Sequence, residues 1–209
     1  MGDTDADTVA DPGWELLARV AAGDVEAFAP LVESHQQRLL RLCERLLGDP
    51  EEARDAVQEV FLKAFRKAGD FRPRGQVYTW LYRIAVNHCL NRLRRRRLVR
   101  FTRLGAPPEL DRPETPEAPE LDPADGAPSP EEALTARRRW AATRRAIAGL
   151  PANQRAVLVL IRFEGLSYRE AADVLEVTEG AVESRLFRAM RRLEAQDRTT
   201  SEVPQRGRG

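Results

Sequence analysis

One stretch of the chain combines aromatic, amide and guanidinium side chains at helical spacing. It spans residues 79–97 and contains Trp80, Tyr82, Asn87 and Asn91 ahead of a run of arginines. Aromatic rings can stack on bases, Asn side chains can pair with base edges, and arginines can contact phosphates. These residues suit a nucleic-acid surface, single-stranded DNA included. The equally weighted alternative is that the aromatics belong to a core and that the arginines form a solvated helix end.

A second stretch, residues 167–193, has the pattern of a helix-turn-helix. Ser167 and Glu170 fit the capping box of a short helix, and Thr178 suits the cap of a second helix from about Glu179 to Leu193. Because the second helix is basic outside its apolar stripe, it would lie in the major groove of DNA. The alternative is an αα-hairpin that docks a protein.

Two acidic residues fit this motif poorly. Glu176 occupies a turn position where glycine is common, and a left-handed backbone there costs about 1 kcal/mol. Glu183 places an acid among the side chains expected to face DNA. It could accept a hydrogen bond from a cytosine amino group, or it could simply lower the affinity.

The segment 50–68 predicts a helix with an apolar residue on its outer face. Leu62 lies opposite the apolar stripe, among Asp55, Gln58 and Glu59. A leucine ringed by polar groups fits a partner-docking face, although the residues alone favour a solvated surface. The predicted buried stripe consists of Ala53, Val57, Val60, Phe61, Ala64, Phe65 and Ala68.

No constellation for catalysis or metal binding is present in the sequence. His35, His88, Cys43 and Cys89 are the possible soft metal ligands, and none has a CxxC or HxxxH spacing. We therefore expect no metal site, no cofactor and no enzymatic activity. Two distant thiols without a secretory signal indicate a reduced, cytosolic protein. No apolar run approaches the roughly 20 residues that a membrane helix needs, so no direct membrane insertion is expected.

The 209-residue chain is predicted to be all-α, with two helical domains joined by an extended acidic, Pro-rich linker. Residues 92–100 hold six arginines and no acid, whereas residues 99–130 hold seven acids and three arginines. The predicted parts are a disordered tail over 1–13, a first domain over 14–98, the linker over 99–130, a second domain over 131–195 and a disordered tail over 196–209. Helices in the first domain are predicted over about 14–22, 25–47, 50–68 and 78–97.

Together these motifs resemble the extracytoplasmic-function (ECF, group IV) sigma factors of the sigma-70 family. The segment 55–65 looks like region 2.2, the part of such factors that grips the β′ clamp of RNA polymerase. The segment 78–87 looks like regions 2.3 and 2.4, which read and melt the −10 promoter element. Leu150-Pro151 and the segments 165–168 and 180–188 look like region 4, which reads the −35 element.

The resemblance implies three sets of contact residues. Core polymerase would be contacted by Asp55, Gln58, Glu59 and Leu62. The −10 element would be contacted by Phe71, Trp80, Ile84, Ala85, Asn87 and Asn91, with a flipped base held beside the 70–76 loop. The −35 element would be contacted by Ser184, Arg185, Phe187 and Arg188. The linker would resemble the acidic segment that leads toward the RNA exit channel.

The implied function is that of a factor that binds core RNA polymerase (β′ clamp and β) and promoter DNA, with an anti-sigma factor as a further partner. It would act in the cytoplasm, on the nucleoid. One domain would hold −35 duplex while the other captures unstacked −10 bases, and polymerase would perform the catalysis. Two other functions stay open: a stand-alone repressor or activator, and a polymerase-bound regulator that does not bind DNA. The region 2.2-like helix argues against the first, and the recognition-like helix against the second.

Overall fold

The computed structural model describes residues 11–71, 76–104 and 141–201, and every regular element within these ranges is helical. This confirms the predicted all-α fold with two helical domains. We call residues 11–104 the amino-terminal domain and residues 141–201 the carboxy-terminal domain. Most of the predicted linker and tails, together with positions 72–75 of the predicted 70–76 loop, lie outside the described residues.

The amino-terminal domain is built from four α-helices that pack around Leu39, Leu42, Val60 and Val86, all of them fully buried. Helix α2 packs against both α3 and α4, which also contact each other. The helices are α1 (Gly13–Ala21), α2 (Ala29–Leu47), α3 (Pro50–Arg66) and α4 (Val77–Leu104), with 3-10 turns at Val25–Phe28 and Ala68–Asp70.

Local capping explains where these helices begin and end. Gly48 ends α2 in a left-handed conformation with φ 78°. The single helix predicted over 25–47 is divided instead, because the Asp24 side chain accepts from the Ala27 amide at 3.3 Å and winds a tight turn. Pro30 then stands in the first turn of α2, where its missing N–H costs nothing.

Two helices are longer than the sequence predicted. Helix α4 continues to Leu104 and so includes the first residues of the segment assigned to the linker. The last helix continues to Ser201, into the segment assigned to the carboxy-terminal tail. In both cases no Gly or Pro stands between the predicted and the observed helix end: Gly105 follows the first helix, and Pro204 lies beyond the second.

The carboxy-terminal domain contains α5 (described over 141–148), α6 (Ala152–Arg162), α7 (Tyr168–Leu175) and α8 (Glu179–Ser201). The Ser167 capping box is formed, and the Thr178 hydroxyl accepts from the Ala181 amide at 3.2 Å. Glu176 has φ 54° and is the one non-glycine residue with positive φ in the described parts of the chain. The helix-turn-helix is therefore present, with the predicted left-handed turn residue.

The two domains pack directly against each other. Helix α4 contacts α7 and α6, and α2 contacts α6. One cluster of buried apolar side chains extends from Leu17 and Leu46 in the first domain to Val157, Leu160 and Val182 in the second. The domains thus share a continuous core in this structure.

Candidate nucleic-acid and partner interfaces

A strip of four side chains follows one face of α4. Trp80, Ile84, Asn87 and Asn91 are spaced by four, three and four residues, which places them on the same side of the helix. The two asparagines are exposed and the two apolar residues are half-buried. Phe71 rests edge-on against Trp80, with ring centroids 5.2 Å apart. We call these five residues the α4 strip.

Ala85 does not join the α4 strip. It is fully buried on the inner side of α4, where it packs with the core. The structure therefore brings together five of the six residues that resemblance assigned to −10 DNA. The sixth is a packing residue in this conformation, because a buried methyl group offers no contact to an external strand.

The arginines at the end of α4 have partners that the sequence did not reveal. The Arg92 Nε donates to Glu52 at 3.2 Å, and Arg96 pairs with the same carboxylate. Arg94 donates to the Asn91 side chain at 3.2 Å. Glu52 lies in the first turn of α3, so these ion pairs join the beginning of α3 to the arginine-rich part of α4. The basic run is thus partly neutralised within the domain.

The outer face of α3 carries Asp55, Gln58, Glu59 and Leu62, all of them exposed. Leu62 is 49% exposed, which is high for a leucine. We call these four residues the α3 face. Asp55 lies 3.9 Å from Arg92 of α4, so the face adjoins the basic end of that helix.

Phe65 corrects the predicted buried stripe of α3. It lies at the edge of the domain, 36% exposed, with its ring edge-on to Phe28 at 5.2 Å. Ala56 takes a buried position that was not predicted. The reason is the turn at Val25–Phe28, which brings Phe28 over the last turn of α3 and leaves the outer side of Phe65 uncovered.

His88 and the two cysteines are structural residues in the amino-terminal domain. The Lys63 Nζ lies 2.6 Å from the His88 Nδ1, and burial, with help from Lys63, lowers the pKa of His88. The Cys43 and Cys89 sulfurs lie 3.7 Å apart in the core. Their mutual contact and burial raise the pKa of Cys43 far above its usual range, so the Cys43 thiol is neutral. The described residues contain no cluster suited to a metal ion.

The outer face of α8 carries the residues assigned to −35 DNA. Ser184, Phe187 and Arg188 are exposed, and Arg185 is half-buried. Phe187 is 66% exposed. The Arg188 guanidinium donates to the Ser184 hydroxyl at 3.0 Å and to its carbonyl at 3.1 Å. Glu183 is exposed beside them.

Sequence reasoning missed the residues that join the domains. The Glu164 side chain is 4% exposed and accepts from Arg45 at 2.8 Å and from the Tyr82 hydroxyl at 2.5 Å. Arg155 is also buried, and desolvation lowers its pKa to about 10. These contacts join residues far apart in the chain, so no local pattern in the sequence marks them.

The fold and its surfaces define a class: a two-domain helical protein with a helix-turn-helix in one domain and an aromatic–amide strip in the other. Residues 31–99 match the family Sigma-70 region 2, and residues 140–193 match Sigma-70, region 4. None of the described helices is long and apolar enough to cross a membrane.

Similar proteins narrow the class further. RNA polymerase sigma-H factor of Pseudomonas aeruginosa is 40% identical over 179 residues, which cover 84% of this chain and 88% of that protein. The ECF RNA polymerase sigma factor SigM of Mycobacterium tuberculosis is 38% identical, over 86% of this chain and 81% of its own. The chain belongs to the ECF sigma factors of the sigma-70 family. It is therefore a promoter-recognising initiation factor and not an enzyme.

Solved structures agree with this fold. CnrH, solved in complex with the cytosolic domain of CnrY, superposes with a TM-score of 0.59 at 27% identity, over 89% of this chain and 97% of its own. The sigma factor RpoE of Bartonella quintana, solved with the anti-sigma factor NepR, has the same TM-score at 24% identity, over 82% of this chain and 96% of its own.

Proposed function

We propose that this chain is a group IV sigma factor that uses the α4 strip for the −10 element and the outer face of α8 for the −35 element. The observation that carries the proposal is the pairing of two different exposed surfaces in one chain. The strip offers aromatic stacking and amide groups, which suit unstacked bases. The face of α8 offers a serine and arginines on a recognition helix, which suit duplex DNA.

Capture of unstacked bases by the amino-terminal domain would drive melting. A base that leaves the duplex can stack on Phe71 or Trp80 and hydrogen-bond to Asn87, so binding energy is gained only from the opened strand. Glu183, exposed beside Ser184 on α8, lowers the affinity for duplex phosphates or selects a cytosine amino group.

The α3 face would dock on the β′ clamp of core polymerase. Its exposed leucine within a ring of three polar residues has the composition of a docking hot spot with a polar rim. Asp55 stays near Arg92, which keeps the face charged but locally balanced. We assign core binding and −10 recognition to residues 14–98 and −35 recognition to residues 131–195, joined by the acidic segment 99–130.

An anti-sigma factor is the further partner in this proposal. It is supported by CnrH, solved with CnrY, and by RpoE, solved with NepR. The proposed place of action is the cytoplasm, on the nucleoid, where polymerase and promoter DNA are found.

The deciding experiment is co-elution with purified bacterial core RNA polymerase on size exclusion. Leu62→Asp should abolish co-elution, because it places a charge at the centre of the docking face. Val25→Asp is the matched control, since Val25 is 63% exposed in the same domain but lies outside the α3 face. Failure of the unaltered protein to bind core polymerase would overturn the proposal. Run-off transcription from bound promoters then reads out initiation.

A further inference from the structure

One carboxylate holds the first turns of two helices together. The Asp11 Oδ2 accepts from the Val77 amide, at the start of α4, at 2.7 Å. The Asp11 Oδ1 accepts from the Gly13 amide, at the start of α1, at 2.9 Å. The first amides of a helix have no partner within the helix, and the helix dipole favours a negative charge beside them. Asp11 therefore caps the beginnings of α1 and α4 at the same time.

The two helix beginnings also pack closely against each other. A methyl group built on Gly13 would lie 2.9 Å from Cγ2 of Val77 and 3.2 Å from its Cβ, which is closer than side chains pack. Val77 is fully buried, and Gly13 is buried beside it. This close approach requires a residue without a side chain at position 13. We call Asp11, Gly13 and Val77 the amino-terminal clasp.

Helix α1 also supports the chain just before Phe71. It packs against the 3-10 turn Ala68–Asp70. The Phe71 amide donates to the Ala68 carbonyl at 3.2 Å, so Phe71 follows directly from this turn. The amino-terminal segment therefore holds the chain at two places, at the turn before Phe71 and at Val77.

Both aromatic residues of the α4 strip depend on this support. Trp80 lies three residues after Val77, in the first turn of α4, and Phe71 ends the turn that α1 packs against. Their ring centroids lie 5.2 Å apart. Asn87 and Asn91, by contrast, lie about three and four turns beyond Val77. Loss of the amino-terminal clasp would therefore disturb the aromatic end of the strip and leave its amide end in place.

We infer that Asp11 is a positioning residue for −10 recognition: through the amino-terminal clasp it fixes the first turn of α4, and with it the Phe71–Trp80 pair on which an unstacked base stacks. The inference rests on the proposed function, which assigns the α4 strip to −10 bases. Asp11 does not touch DNA in this proposal. It keeps the stacking platform formed before DNA arrives, so that binding does not have to order the platform.

A residue that only stabilised the amino-terminal domain would behave differently from a positioning residue. Its removal would lower the affinities for core polymerase and for single-stranded DNA together, because the α3 face and the α4 strip share one core. The clasp itself contains no residue of α3. Removal of a positioning residue should therefore lower the affinity for −10 DNA and spare core binding.

Binding by holoenzyme, assembled from the full chain and core polymerase, tests this role. The probe is a single-stranded oligonucleotide with the −10 sequence of a promoter found by run-off transcription. Asp11→Ala removes both acceptors and should weaken its binding about fivefold, the usual effect of losing one helix cap. Asp11→Asn keeps a side-chain oxygen that can cap α4 and should restore most of the affinity. Glu15→Ala removes an exposed acid from the first turn of α1 and is the matched control, which should change nothing.

Hydrogen exchange and a second variant test the route by which Asp11 acts. In Asp11→Ala the Val77 amide should exchange faster, whereas the amides of Asn87 and Asn91 should keep their rates, because they lie well inside α4. Gly13→Ala disturbs the same clasp by contact with Val77 and leaves the carboxylate in place. It should also weaken −10 binding, and both variants should bind core polymerase as tightly as the unaltered protein.

Two results would overturn the positioning role: an Asp11→Ala protein that binds the −10 oligonucleotide as tightly as the unaltered protein, or one that loses core binding and −10 binding by the same factor. An unaltered holoenzyme that binds no −10 oligonucleotide would instead refute the proposed function, and the positioning role with it. Faster exchange of the Val77 amide in Asp11→Ala would then still show that the clasp exists.

Discussion

Two sides of the amino-terminal domain differ in what their polar side chains contact: one side pairs with the other domain, and the other side faces outward. On the docked side, Tyr78 and Tyr82 of α4 reach carboxylates of the carboxy-terminal domain, together with Arg45 of α2. Arg83, four residues before Asn87, lies between this side and the α4 strip, 4.0 Å from Glu176. On the open side, the α4 strip ends in the exposed amides of Asn87 and Asn91. One helix therefore serves two surfaces that point in opposite directions.

This difference shows that one helix can hold the second domain without blocking its own DNA-facing side. Tyr78 and Tyr82 lie on the same side of α4 because four residues separate them, whereas Trp80 and Ile84 lie about half a turn away. A substitution on either side should affect one property and spare the other. The predictions below use this separation, beginning with the largest effect.

On the docked side, we expect the largest loss of stability from the removal of Arg155. Arg155→Met leaves carbonyl groups at the ends of α2 and α5 without their donor, so the free energy of unfolding should fall by about 2–4 kcal/mol. Urea unfolding measures the change. Arg162→Met, an exposed arginine at the end of the same helix α6, is the matched control and should shift the midpoint little. Equal effects of the two substitutions would contradict the structural role of Arg155.

The open side should respond through DNA affinity. Trp80→Ala removes a half-buried ring that packs on Phe71, and the loss of one stacking platform is worth about 1–3 kcal/mol. Binding of a single-stranded −10 oligonucleotide by the holoenzyme should weaken about 5- to 150-fold. The distance between spin labels at Glu33→Cys and Arg191→Cys, exposed positions in the two domains, should not change, because Trp80 lies away from the docked side. An altered distance would show that the two sides of α4 are not independent.

Tyr82→Phe should produce the opposite pattern. It removes the hydroxyl that donates to Glu164 at 2.5 Å and leaves a buried carboxylate with one donor fewer, at a cost of about 1.5 kcal/mol. The contact between the two domains should weaken, so the distance between the two spin labels should become longer or broader. The affinity for a single-stranded −10 oligonucleotide should stay unchanged. Tyr168→Phe is the matched control, since Tyr168 is exposed on α7. A loss of −10 binding in Tyr82→Phe would contradict the separation of the two sides.

The open side could be predicted from the sequence, whereas the docked side could not. Trp80, Asn87 and Asn91 follow a helical period, and the caps at Ser167 and Thr178 are local signals, so these features were expected before the structure. Glu176 was expected in a left-handed turn and is found there. Local periodicity was sufficient because each of these features depends on neighbours within one or two helical turns.

The docked side depends on tertiary contacts between residues 82 to 119 positions apart in the chain, such as Tyr82 and Arg45 with Glu164. In the sequence, Glu164 is an acidic residue in the turn after an apolar helix, and Arg155 is a polar residue within α6. Neither position indicates that the side chain is buried. Phe65 was misplaced for a related reason, because the turn that brings Phe28 against it leaves its outer side exposed. Hydrophobic pattern alone does not encode such pairings.

The smallest expected effect is a dependence of the melting temperature on pH, caused by two partly buried histidines. Burial lowers the pKa of both His88 and His35, so each is neutral in the folded protein and gains charge more readily when unfolded. The stabilising contribution is complete above the ordinary His pKa of about 6.5 and is lost as pH falls through the lowered folded pKa. The melting temperature should therefore fall modestly between pH 7.5 and 6.0.

His88→Gln tests the origin of this pH dependence. Lys63, Arg92 and Arg95 disfavour the charged imidazole and Glu59 favours it, so cations dominate its surroundings. Glutamine keeps an acceptor for Lys63 but cannot gain a proton, so the difference in melting temperature between the two pH values should shrink without vanishing. His35 supplies the remainder, because burial lowers its pKa independently. A melting temperature that rises on acidification would mean that the histidines gain, and do not lose, favourable contacts when charged.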